Sequence, residues 1–585
     1  MFKIQDDWHS EDIDTLSGGL RLDVRPDKID KKELLDAHNV LIQRDLVQTD
    51  SGYVPFADAV SGIAQTTFQF VKKNGTEELL CVSTASVYVY NSTFNQWDYV
   101  KGTVSTLTTG TTAAGGFNLT VTAIAGFANG EKIGVFLDNG KQHKTTINGV
   151  PAGNTIVMAA AVPVGRSVAI GVAVRRAVVL TGDLDNQVSV ITVPSHDWCV
   201  FTNFNNPPMR YDGVDCVVIP GLPSSGDFKA RAVILYNAAL FFGNCIEGGT
   251  QYPMRVRRSE IGDPTNWSTG TAGFDNLYDL EDGISTMLLI GPYLIIYRER
   301  SIARGTYVNV GGKYYDFETT VVGEGTLSLY GVADAGDVHV VVGHSNIYLY
   351  RGGFDIEPVG DAVYYKIFGS KGELNPQYTE RVFAFYVEEV DEIWIFLPIG
   401  GSTVPNKMYR YSIGDKRFSD RTFNHNFSGF GFFVRTDDRK WTDLLGSWAS
   451  QTWDWNSKQN LANSPTTHLC DSVTGQIYEY NYTAADDNGA IISYSIQTKD
   501  FTTPFQEFRV DYLEAAITAE DCTIDYSTDQ GLSWNTIGYT ADTVQGRKRF
   551  HRQFVGTTVR FKFWGSGAFE LGRFGFTYRD ESYQR

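Results

Sequence analysis

Between residues 232 and 267 the chain repeats a grammar that leaves few folds open to it. Ala232-Val233-Ile234-Leu235-Tyr236 and Ala239-Leu240-Phe241-Phe242-Gly243 are two apolar runs with a tight turn at Asn237, which predicts a β-hairpin. Met254-Arg255-Val256-Arg257-Arg258-Ser259 alternates and predicts a third, more polar outer strand. Gly262-Asp263-Pro264 is turn chemistry: Gly permits unusual angles, Asp bonds its own backbone and Pro fixes φ. Trp267 then closes the unit with one large ring for burial. Hairpin, outer strand, polar turn and tryptophan together describe one blade of a β-propeller.

The same unit recurs along the chain. Glu78-Leu79-Leu80-Cys81-Val82-Ser83, Val87-Tyr88-Val89-Tyr90 and Trp97 form an earlier copy. Later copies run through Trp198-Cys199-Val200-Phe201, Tyr293 to Tyr297, Val338-His339-Val340-Val341-Val342 and Glu392-Ile393-Trp394-Ile395-Phe396-Leu397. A last copy is expected around Trp441, Trp448, Trp453, Trp455 and Gln476-Ile477-Tyr478-Glu479-Tyr480. The fold class is therefore all-β, a β-propeller of about six or seven blades. The domain reading assigns 1–55 to an N-terminal arm, 56–101 to the first part of the propeller and 177–488 to the rest of it. Residues 102–176, poor in aromatics and rich in Thr, Ala, Gly and Val, read as an inserted small β-barrel or sandwich. Residues 489–585 alternate strongly and read as a C-terminal β-sandwich. Within the arm, Asp30 and Glu33 have the spacing of a capping box and predict a short helix.

The formal net charge is -18, and no long basic stretch is present; Arg547-Lys548-Arg549 with Arg552 is the densest. That balance argues against a protein that grips nucleic acid by its phosphates; ordinary solubility accounts for it, and it also suits an acidic wall past which DNA slides. The first twenty residues have no apolar core of a signal peptide. The most membrane-like stretch, 156–174, is broken by Pro163, Gly165 and Arg166 and reads as two strands around a turn, so no stable membrane insertion is expected. Six scattered cysteines without a C-x-x-C pair read as buried, reduced thiols.

The sharpest local motif is Ser527-Thr528-Asp529-Gln530-Gly531-Leu532-Ser533-Trp534. It matches S-x-D-x-G-x-x-W, the Asp-box of sialidases and other propellers. Here Ser527 and Asp529 would bond the turn backbone, Gly531 would allow the bend and Trp534 would pack beneath. The motif reads as structural, as does the blade turn Gly262, Asp263, Pro264 and Trp267. A sialidase would need an arginine cluster; Arg257, Arg258, Arg298, Arg300 and Arg304 are near in sequence, but solvated outer-strand charges are the expectation. The acidic turns Asp279-Leu280-Glu281-Asp282-Gly283 and Asp183-Leu184-Asp185-Asn186 lack a full EF-hand loop. No residue is assigned a catalytic, cofactor-binding or metal-binding role, and the chain reads as non-enzymatic.

Four segments resemble the tail nozzle or tail-hub proteins of short-tailed bacteriophages, including those called packaged-DNA-stabilisation or tail-tube proteins. They are Gly18-Gly19-Leu20 with Ala37-His38-Asn39-Val40 and Ser51-Gly52-Tyr53; 258–267; Gly323-Glu324-Gly325-Thr326 through Ile347-Tyr348-Leu349-Tyr350-Arg351-Gly352-Gly353; and the inserted module at 127–174. The resemblance implies a structural virion protein of the tail, assembled in the host cytoplasm. It implies a homohexameric ring below the portal and adaptor (head–tail connector), retaining packaged DNA and conducting it into the host. The implied partners are further copies of itself, the portal–adaptor assembly, tail fibres or tailspikes, and genomic DNA passing without sequence-specific contact. The alternatives are a glycan-cleaving tail protein of sialidase type and a receptor-binding tail protein.

Overall fold

The computed structural model describes residues 8–43, 45–435, 464–503, 507–544 and 546–581. Trp441, Trp448, Trp453 and Trp455 lie outside the described residues.

The chain is a β-propeller with further β structure attached. Seven four-stranded antiparallel units are counted among the described residues. In chain order, their first strands are Ala64–Val71, Ser189–Val193, Phe228–Tyr236, Ile284–Ile290, Val332–Asp334, Phe383–Val387 and Phe427–Val434. Each unit is numbered below as a blade by that order. A hydrophobic cluster fills each space between neighbours, and the one between blades 5 and 6 continues into the core of the C-terminal strands. Phe70, Leu80, Cys199 and Phe201 join blades 1 and 2, and Trp198, Phe228, Phe242 and Trp267 join 2 and 3. Phe56, Cys81, Trp97 and Cys470 join 7 back to 1. Because a blade is covered on both faces, an inner strand can bury every residue instead of alternate ones; Glu392–Leu397 is an example.

The circle closes at two places. Blade 7 takes its outermost strand, Gly52–Phe56, from near the start of the chain, paired antiparallel with Ile477–Asn481. The first strands of blades 7 and 1 also pair directly and in parallel, Phe430 with Thr66 and Gly431 with Thr67. That approach needs glycine: a Cβ on Gly429 would lie 1.8 Å from the Gln65 carbonyl oxygen, and one on Gly431 would lie 2.0 Å from Thr67 Oγ1.

Between blades 1 and 2 the chain builds a small β module. Lys101–Leu107, Ala173–Ala177, Lys132–Phe136 and Gln142–Thr146 form one sheet and Asn118–Thr120 with Thr155–Val157 a second. Its own core includes Leu119, Ile133, Val135, Ile156, Met158 and Val174.

The C-terminal strands form a two-sheet sandwich that the first fifty residues help to build. Trp8–Ile13 and Leu46–Thr49 both pair with Phe569–Glu581, while Glu33–His38 pairs with Ser493–Thr498. A single bridge, His38 to Asp420, continues that second sheet into blade 6. The helix expected at Asp30 is absent, although both of its capping bonds form. The Asp30 N–H donates to Glu33 Oε2 at 2.8 Å, and the Lys32 N–H donates to Asp30 Oδ1 at 3.0 Å. The chain then extends because Glu33–His38 has strand partners on either side, Gly19–Leu20 and Ser493–Thr498. Tertiary pairing overrides the local signal.

All six cysteines are buried free thiols. Among the described residues no helix is long and apolar enough to cross a membrane.

Candidate functional site: two structural turns, paired arginines and a buried ionic clasp

The blade turn is built by its own side chains. Gly262 sits at φ +81°. Asp263 Oδ1 accepts from the Thr265 N–H at 2.9 Å and from its hydroxyl at 2.6 Å, and these bonds hold the carboxyl below its usual range. Trp267 donates from Nε1 to the Pro264 carbonyl at 3.0 Å and stacks on Phe242 at 5.3 Å. The strand after this turn, Gly273–Asn276, is the true outermost strand of blade 3. Thr250–Arg258, the expected outer strand, lies third.

The Asp-box turn links Cys522–Ser527 to Asn535–Thr540 in the sandwich. Ser527 Oγ donates to Asp529 Oδ1 at 2.6 Å and accepts from the Gly531 N–H at 2.8 Å. Asp529 Oδ1 also accepts from the Ser533 N–H at 2.9 Å. These bonds from Ser527 and Ser533 pull the Asp529 carboxyl down to about 2. Gly531 is at φ +89°. Trp534 is half-buried, with Lys562 Nζ 5.7 Å from its ring centre. Ser527 itself is fully buried. Ser527→Ala removes its bonds and should cost about 1–2 kcal/mol, read as an earlier urea midpoint without a change in slope.

The arginines are not the solvated charges expected. Arg298 is 1% exposed and forks onto Asp279 at 3.1 and 3.2 Å. Arg257 donates to the Trp267 carbonyl at 2.8 Å and lies 3.8 Å from Glu247. Arg258 pairs with Asp275, and Arg304 with Glu318. Arg300 is exposed in a turn whose backbone N–H is held by Asp282. Each of the four paired guanidiniums is thus held by a carboxylate near it, Arg304 also donating to the Gly352 carbonyl of the next blade at 3.1 Å, and the set does not converge. The acidic turns are engaged likewise: Asp279 by Arg298, Asp282 by the Ser301 hydroxyl, and Asp185 by Arg381 at 2.6 Å.

One buried constellation of charge, centred on Asp50, was not found by sequence reasoning. Asp50 lies just before the strand that closes blade 7. Its Oδ2 accepts from Arg410 at 2.5 Å and forms an ion pair with Arg421 Nε at 2.8 Å, and its Oδ1 accepts from the Tyr480 hydroxyl at 2.7 Å. Arg421 also reaches Asp487 at 2.7 Å. The two guanidiniums are 1–2% exposed. Burial alone would raise the Asp50 carboxyl, but Arg410 and Arg421 outweigh it and hold it low. For Asp487 burial wins over Arg421, and the carboxyl is pushed up to about 6. The four charged groups tie blade 6, the closing strand of blade 7 and the lead into the sandwich together.

A pH dependence follows from that split. The folded pKa of Asp487 lies above its unfolded value near 3.9, so its contribution is full below about pH 4 and is lost as pH rises through about 6. Asp50, held low, keeps its contribution throughout that window. Asp487→Asn should therefore remove on the order of 2 kcal/mol of the stability gained between pH 7 and pH 4.5. Urea unfolding of both chains at the two pH values measures it.

No family model and no curated protein matches this chain. Solved structures do match at low similarity. A glycoside hydrolase is 11% identical over 67% of this chain and 97% of its own, with a TM-score of 0.20. An exo-β-1,3-galactanase from Phanerochaete chrysosporium is 6% identical over 80% of this chain and 100% of its own, with a TM-score of 0.22. The extracellular domain of a putative one-component system from B. thetaiotaomicron is 10% identical over 89% of this chain and 71% of its own, with a TM-score of 0.30. Such likenesses carry no inference about activity. Among the described residues no group of three or more His, Cys, Asp and Glu side chains is placed to hold a metal ion.

Proposed function

We propose that the chain is a structural component of a short-tailed phage virion, a nozzle subunit that assembles as a ring, likewise a hexamer by its resemblance, around the tail channel. In this reading it meets the portal–adaptor assembly above and fibres or tailspikes alongside, retains packaged DNA, and lets it pass on ejection. The observation that carries the reading is electrostatic. Acidic residues exceed basic ones by 18, and Arg257, Arg258, Arg298 and Arg304 are each paired with a nearby carboxylate. A surface of that kind repels a polyanion instead of binding it, which suits a conduit. Six such chains would carry about a hundred net negative charges. The closed propeller, pinned by its own N-terminal strand, also suits a part that must hold its shape under load. Sialidase-type cleavage would require arginines free to take a substrate carboxylate, whereas Arg257, Arg258, Arg298 and Arg304 are occupied.

The test is direct. The purified chain should leave a duplex DNA fragment unshifted at about 50 mM salt, where phosphate-binding proteins bind most strongly. It should also release no sugar from sialylated glycans. Tight, steeply salt-dependent retention of the fragment would contradict a non-adhesive conduit, and sugar release would move the sialidase reading to the front.

A further inference from the structure

One sheet of the sandwich has two open edges of opposite charge. From Phe569–Glu581 its strands run through Glu507–Ala519 to Arg547–Gly556, each antiparallel to the next. On the other side Phe569–Glu581 is paired along one part by Trp8–Ile13 and along another by Leu46–Thr49, which Val40–Gln43 follows, so that Trp8–Ile13 and Arg547–Gly556 are the two outer strands at issue. Neither outer strand has a second hydrogen-bonded neighbour among the described residues. Asn535–Thr540, from the other sheet, packs beside Arg547–Gly556, since a Cβ at Gly538 would meet the Phe550 ring at 2.6 Å; no pairing of the two strands is formed.

The Arg547–Gly556 edge is basic in a chain that is otherwise acidic. The Arg547 and Arg549 side chains are 63% and 49% exposed and share a single carboxylate, Glu514. Arg552 is exposed and makes no ion pair among the described residues. Tyr539 and Val555, 59% and 43% exposed, add apolar surface beside it. The opposite edge is acidic. Asp12 and Asp14 are exposed; one cation, Lys31, lies beside this edge, 3.8 Å from Glu11 and donating to the Asp12 carbonyl at 2.9 Å. Across the outer face between the edges runs a shallow cleft of about 170 Å³ floored by Ala516 and Gly575, with Asp12 and Asp14 at one side and Arg547 at the other.

We propose that these edges join head to tail, so that Arg547–Gly556 of one copy takes Trp8–Ile13 of a second copy and the sheet runs on from subunit to subunit. This deepens the ring reading and rests on it. Three observations carry the proposal. An open strand edge presents unpaired N–H and C=O groups that another strand satisfies. The direction fits: the chain order makes the two edge strands antiparallel, so a second copy added in the same sense continues an antiparallel ladder. The charges choose the partner: basic against basic and acidic against acidic both repel, which leaves only the unlike pairing. A contact between two different surfaces of one chain is heterologous, and it closes into a ring when the rotation between copies allows.

The test is a charge swap on the full chain. Arg547→Glu with Arg552→Glu makes both edges acidic and leaves the Arg549–Glu514 pair intact. Asp12→Lys with Asp14→Lys makes both edges basic. Each variant alone should associate about a hundredfold more weakly than the wild-type chain in light scattering. An equimolar mixture should recover the wild-type mass, because every junction then pairs unlike edges. Recovery in the mixture cannot arise from misfolded variants. Variants that assemble like the wild type, or a mixture that fails to recover, overturn the edge pairing while a wild-type ring leaves the nozzle reading standing. A wild-type chain that stays monomeric both alone and with a portal–adaptor complex overturns the two together.

Discussion

Asp50→Ala should destabilise the chain by about 3–5 kcal/mol, among the largest effects open to a single substitution. The reason is what remains behind. Arg410 and Arg421 are 1–2% exposed, and both direct a nitrogen at the same Asp50 oxygen, at 2.5 and 2.8 Å. Without it, the nearest carboxylate to Arg410 is Glu392 at 3.9 Å, with the neutral Tyr480 hydroxyl at 3.0 Å, and Arg421 keeps Asp487 and the carbonyls of Ser51 and Thr422. Two buried cations would then lie side by side with too little negative charge to balance them. The Tyr480 hydroxyl loses its acceptor as well. Asp50→Asn keeps the shape and some hydrogen bonding but not the charge, so it should fall between alanine and wild type. The urea midpoint, followed by tryptophan fluorescence, reads both. A midpoint unchanged by alanine would mean that the cluster contributes nothing to holding the N-terminal strands against the propeller.

Gly431→Val should open the seam between blades 7 and 1, at a cost of about 3 kcal/mol or more. The added Cβ would fall 2.0 Å from Thr67 Oγ1 and 2.1 Å from the Thr67 carbonyl oxygen. The strand cannot retreat easily. On its other side Gly431 pairs with His468, a fully buried ring whose Nδ1 lies 3.2 Å from the same Thr67 hydroxyl. The substitution therefore strikes the parallel pairing that closes the circle. Limited proteolysis should cut the variant faster in blades 1 and 7 than in blades 3 and 4, where the packing is untouched. Uniform resistance across the chain would show that the seam does not depend on glycine there.

The propeller was legible because each blade writes its signal locally. Trp267, Gly262 and Asp263 act within a dozen residues of one another, and the structure has them bonded as the turn chemistry predicts. The Asp-box is legible for the same reason. What lay hidden was long-range. Asp50 and Arg410 are 360 residues apart, and nothing near either one marks it as buried with the other. Arg258 and Arg298 read as solvated charges in the sequence, yet Asp275 on the adjacent strand and Asp279 in the turn before blade 4 let them be covered. Asp30 and Glu33 carry an intact helix signal that strand pairing on both sides overrides. Gly429 and Gly431 did hold a readable clue: two glycines spaced by two share one face of a strand and mark a close backbone approach.

The central claim is a ring around a channel, and imaging of the assembled particle tests it most directly. The purified chain, alone or mixed with a portal–adaptor complex, should give a closed ring of about six copies by light scattering and electron microscopy. Its hole should be wide enough for hydrated duplex DNA. A compact trimer, or a monomer that ignores the portal–adaptor complex, would contradict the account.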